Sequence, residues 1–165
     1  MRTFVTTGGP KVERECARYV RQHGCLPLGA VYVSTPGQLP CKRLIHAVCV
    51  EDYKWVRIID EAKLYKAVHE ALAAAERLHF SSIAIPGLSS LRLHLGTATK
   101  RIVLAVKDFF LVREKTCLKR VSLVDLRRDV VREFHKNLGA EFGFQKVDFH
   151  GEKKSGDETG KLLNM

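Results

Sequence analysis

The stretch SSIAIPGLSSLRLHLG (residues 81–96) holds the residues best suited to ligand chemistry. A short apolar run ends on Pro86 and Gly87 and then offers Ser89 and Ser90, the pattern of a strand that delivers a loop to a ligand. The continuation, Leu91-Arg92-Leu93-His94-Leu95, is unlike a phosphate cradle, in which glycine lets backbone N–H groups approach the anion closely. Arg92 is the one group in it with phosphate chemistry, since a guanidinium grips phosphate through two hydrogen bonds. A second apolar run, LKRVSLVDL (118–126), ends on Asp125 and Leu126. An aspartate there either orients a ligand hydroxyl or caps the next helix. Gly8-Gly9-Pro10 has two meanings as well: the start of an anion cradle, or a loop-to-helix junction with proline at the first turn. So short a glycine signal favours the junction.

Other chemistries find little support. Seven histidines and five cysteines are scattered, without C-x-x-C spacing or a histidine pair on one helix face with an obvious third ligand, so no metal centre or disulfide framework is expected. Reduced, mostly buried thiols are expected instead, and His46, in an apolar strand, reads as a hydrogen-bonded core or rim residue. G-x-S-x-G and its relatives are missing, so no catalytic residue is assigned. The formal charge of +10 favours polyanionic partners, yet the basic pairs in KRLIH, TKRIV, LKRVS and DLRRD suit solvated helix and strand ends equally well.

The elements that must position these residues are legible as periodicity. Val12, Cys16, Tyr19 and Val20 recur at helical spacing before Gly24, and GAVYVST (29–35) and CKRLIHAVCV (41–50) are strands joined by PGQLP. A helix from Ile59 to Leu78 carries an apolar stripe, Ile59, Ala62, Ala67, Ala71, Leu72, Ala75 and Leu78, with Asp60 and Glu61 at its positive end. SSIAIP (81–86) is a short buried-type strand. Thr97 to Val112 is a helix with Ala98, Ile102, Ala105, Val106 and Phe109 inward, residues 118–126 a strand, and Asp129 to Leu138 a closing helix. Helices alternating with apolar strands predict an α/β layered domain with its ligand site beyond the carboxyl ends of the strands. Residues 141–149 suggest an edge strand, and the polar sequence from about 150 a frayed tail. At 165 residues one core is expected, and no apolar run or secretory signal points to a membrane or to export.

GGPKVEREC, GQLPCKRLIHAV, AERLHFSSIAIPGLSS, CLKRVSLVDL and VVREF, in that order, resemble the macrodomain family, most closely the first macrodomain of the poly(ADP-ribose) polymerases of type fourteen. The resemblance spans roughly residues 8–138. It implies a three-layer α/β/α domain with a mixed sheet, and recognition of ADP-ribose, free or attached to protein. Carried over residue by residue, it also implies departures. The family's leading strand with its adenine-recognising Asp, the Asn-rich turn that holds the distal ribose, and the first glycine loop have no counterpart before Gly8, so a macrodomain lacking its first strands and helix is expected. From the Ser-Ser that matches Ser89 and Ser90, relatives continue through glycines and a ribose-stacking aromatic. Leu91-Arg92-Leu93-His94 stands there instead, two residues shorter, and Cys49-Val50 replaces a Gly-Pro.

The resemblance therefore implies a partial macrodomain over residues 1–140, followed over 141–165 by an edge strand and a disordered tail. ADP-ribose recognition is weakened or lost, and neither catalysis nor a cofactor is expected. Its ligand set is Ser89, Ser90 and Leu91 through backbone groups, Arg92 as a compensating charge, Leu93 beside them, and Asp125 and Leu126 on the adenine side. Two alternatives stand beside it: a non-catalytic interaction or vestigial domain in which another chain covers the open sheet edge, and a basic nucleic-acid-binding module. A cytoplasmic or nuclear location fits all three.

Overall fold

The computed structural model describes residues 7–49, 60–87 and 95–143, together with the backbone of two short strands, 148–150 and 161–164. Helix α1 (Pro10–His23) begins on Gly9, whose φ of 78° lies in the left-handed region, carries Pro10 in its first turn, and ends on Gly24 at φ 77°. Strands β1 (Val31–Ser34) and β2 (Leu44–Ala47) pair antiparallel in a two-stranded sheet. Helix α2 (Glu61–Arg77) is capped by Asp60, whose carboxylate accepts from the N–H groups of Ala62 at 2.8 Å and Lys63 at 3.3 Å. Then come β3 (Ser82–Pro86), α3 (Leu95–Leu111), β4 (Arg120–Asp125), α4 (Arg128–Phe142), β5 (Asp148–His150) and β6 (Lys161–Asn164).

The second sheet is mixed, in the order β3-β4-β6-β5, with β3 and β4 parallel and the remaining pairs antiparallel. Its core is continuous with the helices. Ile85, Val121 and Leu123 pack into one cluster with Leu64, Val68 and Leu72 of α2, Ile102, Val106 and Phe109 of α3, and Val130, Phe134 and Leu138 of α4. Ala67, Ala71 and Ala74, also buried on α2, stand outside that cluster. These small side chains suit close approach by a neighbour, and α2 meets both strands of the β1–β2 sheet as well as β3. One helix thus bridges two sheets. Among the described residues nothing pairs with the outer edge of β3, and on its face away from the helices Ser82, Ala84 and Pro86 are exposed.

Several boundaries and burials differ from the sequence reading. Helix α3 starts two residues before Thr97, and α4 runs through Gly139 to Phe142 before ending on Gly143 at φ 75°. A single glycine costs a helix only about 1 kcal/mol, so position 139 did not have to stop it. Ala62 lies on the exposed side of the first turn of α2, and Leu78 is 40% exposed just past its end, so neither joins the buried stripe; Ile59 lies outside the described residues. The strand over 81–86 is half-buried, with one face open. All five cysteines are free but not mostly buried, since Cys25 and Cys41 are exposed and the others intermediate. Where composition predicts a frayed tail, Lys161–Asn164 forms β6, placed between β4 and β5. It satisfies the backbone groups along the edge of β4 that would otherwise stay unpaired.

Candidate functional site

The parallel strands β3 and β4 bring their carboxyl ends together at Gly87 and Asp125. The Gly87 N–H donates to the carbonyl of Val124 at 2.9 Å, extending the ladder by one residue. A Cβ at Gly87 would strike Val130 Cγ1 and lie 2.9 Å from both Asp125 Oδ2 and the Phe134 ring. The backbone therefore turns off β3 in a space that only glycine fits, directly against the Asp125 carboxylate. The other Asp125 oxygen, Oδ1, accepts from the Arg127 N–H at 2.9 Å. Asp125 thus shapes the turn into α4, and one of its oxygens faces the end of β3.

Helix α4 starts three residues beyond Asp125, and α3 starts eight residues beyond Gly87. Their amino ends carry partial positive charge. The α3 end is pinned by Thr99, fully buried, whose hydroxyl donates to the carbonyl of Leu95 at 2.9 Å and accepts from Asn137 Nδ2 of α4 at 2.9 Å. At the α4 end, Arg127 pairs with Asp129, and that hydrogen bond holds the Asp129 carboxyl below its ordinary range. Leu126 is 79% exposed. Of the residues singled out from sequence, Asp125 and Leu126 stand at this edge, while Ser89, Ser90, Leu91, Arg92 and Leu93 lie outside the described residues. The Pro86-Gly87 pair marks the strand end in the sequence without assigning Gly87 to the site, and nothing local marks the Thr99–Asn137 contact.

A separate polar cluster joins α1 to the β1–β2 sheet. Glu15 accepts from the Thr35 hydroxyl at 2.5 Å, from the Thr35 N–H at 3.2 Å and from the Tyr32 hydroxyl at 3.4 Å. The Thr35 hydroxyl bond is the leading reason that its carboxyl titrates below the usual range. His46 Nε2 lies 2.7 Å from Ser34 Oγ and 3.7 Å from Cys16 Sγ. Ser34, 1% exposed, also reaches the carbonyl of Thr35 with its hydroxyl at 3.0 Å, so the His46 ring nitrogen and that carbonyl share one hydroxyl. Burial lowers the His46 pKa and raises that of Cys16, so at neutral pH the trio is an uncharged, inward-facing network. It lacks what a nucleophile needs, an accessible hydroxyl or thiolate beside a free base. His46 is a hydrogen-bonded structural residue, in line with its place in an apolar strand. The diglycine is structural as well: the Gly8 carbonyl accepts from the Gln38 N–H at 3.0 Å and the Gly9 carbonyl from the Val12 N–H at 3.2 Å. Among the described residues no group of three or more His, Cys, Asp or Glu side chains could hold a metal ion, and no helix is long and apolar enough to cross a membrane.

The class defined by this geometry is an α/β domain in which two parallel strands end side by side and each is followed in the chain by a helix. The Macro domain family model matches residues 2–97, and the chain belongs to the macrodomain family. It is 34% identical over 131 residues to the human protein mono-ADP-ribosyltransferase PARP14, a match that covers 76% of this chain and 7% of that protein. A protein of Aquifex aeolicus is 31% identical over 133 residues, covering 80% of this chain and 75% of its own length. One of Sulfurisphaera tokodaii is 40% identical over 89 residues, covering 54% of this chain and 47% of its own length. The chain thus spans from a small fraction of these relatives to three quarters of them. Among solved structures, the Oceanobacillus iheyensis macrodomain mutant G37V with ADPR superposes with a TM-score of 0.72 at 20% identity, covering 84% of this chain and 75% of that one. The Trypanosoma brucei macrodomain in complex with ADP-ribose gives 0.66 at 20% identity, covering 80% and 53%. The fold is the macrodomain's α/β fold, with its helices and mixed sheet.

Proposed function

We propose that this chain is an ADP-ribose recognition module whose site is the edge formed by Gly87, Asp125, Leu126 and the amino ends of α3 and α4. The observation that carries the reading is the glycine-only turn at Gly87 against the Asp125 carboxylate, at the carboxyl end of parallel strands, where ligands of such sheets bind. Similarity to macrodomains solved with ADP-ribose supports the choice of ligand. In this proposal Ser89, Ser90 and Leu91 offer backbone groups to the diphosphate, with Leu93 beside them, and Arg92 supplies the charge that the missing glycines leave unprovided. Asp125 and Leu126 border the adenine. The partners are free ADP-ribose and ADP-ribosylated proteins.

Recognition without hydrolysis is the form this proposal takes. Asp125, the carboxylate at the described strand ends, serves this role by accepting through Oδ1 from the Arg127 N–H and shaping the turn into α4. Calorimetric titration with ADP-ribose tests the reading. Saturable heat that Arg92→Ala reduces at least tenfold in affinity is expected, and no heat and no thermal shift at millimolar ligand would remove it.

A further inference from the structure

The outer side of α1 carries Lys11, Arg14, Arg18 and Arg21, at i, i+3, i+7 and i+10. At 100° per residue these four fall within an arc of about 80° and extend about 15 Å along the axis. All four are exposed, and together with Glu15 they line a shallow groove of about 350 Å³. Glu15 is committed to Thr35 and Tyr32, so the groove keeps an excess of three positive charges. Four cations of the body, Arg101, Lys107, Arg113 and Arg127, each form a salt bridge, to Glu61, Glu141, Glu76 and Asp129. None of the four α1 cations forms one with a described residue. The helix dipole accounts for Arg21 in the last turn but not for Lys11 in the first, where it disfavours a positive charge, nor for Arg14 and Arg18, like charges four residues apart.

We infer that this line of cations is a binding surface for the phosphodiester backbone of nucleic acid. Three of the four are arginines, suited to paired hydrogen bonds with phosphate. A strand with phosphates about 3.4 Å apart along the axis presents four or five of them over the same 15 Å. The surface holds no aliphatic or aromatic anchor of the kind that dominates protein–protein affinity. A membrane helix would need a broad exposed apolar face; on α1 Val12 is fully buried and Tyr19 half-buried, and Val20, 45% exposed, is the one large aliphatic side chain at the surface. Phosphate backbone is the partner that needs charge and spacing alone.

Fluorescence anisotropy with a labelled 20-nucleotide RNA, single-stranded and as a duplex, tests the inference. Four contacts give a slope of log affinity against log salt of about −2.8 for the single strand and −3.6 for the duplex, and from 50 to 200 mM salt the single strand loses about 50-fold. The triple variant Arg14→Glu, Arg18→Glu, Arg21→Glu should lose binding at every salt concentration, while the charge-matched control Lys115→Glu, Lys119→Glu, Arg120→Glu, before and at the start of β4, keeps most of it. If charge reversal prevents folding, Arg14→Gln, Arg18→Gln, Arg21→Gln replaces it, with the single-strand slope falling to about −0.7. Three results overturn the inference: no binding at 50 mM salt, equal losses in stripe and control variants, or an acidic peptide of equal charge competing as well as RNA. ADP-ribose titration of the stripe variant keeps the two proposals separate, because the strand-end site is untouched by these substitutions.

Discussion

The body built from β3, β4 and helices α2 to α4 and the unit built from α1 and the β1–β2 sheet are held together by different forces. The body is a filled interior, with Phe109 and Phe134 at zero exposure among close-packed aliphatic chains. The α1 unit buries Val12 and Ser34, sets the partly buried Ile45 and Cys49 against the main cluster, and otherwise relies on directed contacts: Glu15 to Thr35 and Tyr32, His46 to Ser34, and the Gly8 carbonyl to Gln38. Volume stabilises broadly and tolerates pH, whereas a few hydrogen bonds between partly buried groups depend on geometry and on protonation. The two regions should therefore fail under different insults.

The largest effect is expected in the body. Phe109→Ala removes a ring that packs edge-on to Phe110 at 5.4 Å and lies under the Arg113 guanidinium at 3.7 Å, and it should cost about 3–5 kcal/mol in urea unfolding. A loss below about 1 kcal/mol would mean that the interior is not the close-packed cluster described. Next comes Gly37→Ala. Gly37 sits at φ 61°, and an added Cβ would fall onto the Gly8 carbonyl oxygen. Strain of this kind costs about 1–3 kcal/mol, and here it should loosen α1 from the hairpin. Faster proteolysis within residues 24–43, with the body intact, is the expected readout; uniform destabilisation would erase the distinction between the regions.

The smallest effect is a pH dependence. Burial holds His46 below its ordinary pKa, against the opposing charge of Glu15. As pH falls, the unfolded chain takes up this proton first, so the stability contributed by the neutral ring is complete above about pH 6.5 and declines as pH drops through that value toward the lowered folded pKa. Unfolding midpoints should fall between pH 7.5 and 5.5, and His46→Gln should flatten the decline. Identical midpoints at the two pH values would show that the ring is not held as described.

Much of the fold could be read because it is local. Val12 and Gly24 bounded α1, PGQLP joined the two strands, and the inward residues named on α3 are all buried. The features that could not be read were decided at a distance. The bonds of Glu15 to Thr35 and of Cys16 to His46 connect residues 20 and 30 apart, and β6 is fixed by a free edge on β4 rather than by its own polar surroundings. At the candidate site, Asp125 was visible as a carboxylate ending an apolar run. Its closeness to Gly87 was not, since it arises from the parallel register that sets Pro86 beside Val124. The α1 stripe was hidden for another reason: its cations are three and four residues apart, and a search for adjacent basic pairs passes over them.

Helix α2 presents long side chains to the main cluster and alanines outside it. Losing contact over alanine exposes little apolar surface, whereas losing it over Leu64 and Leu72 exposes a great deal. Opening the α1 unit, which reaches the main cluster through the partly buried Ile45 and Cys49, should therefore cost less than opening the body, and amide hydrogen exchange is expected to show it as the lower-energy event.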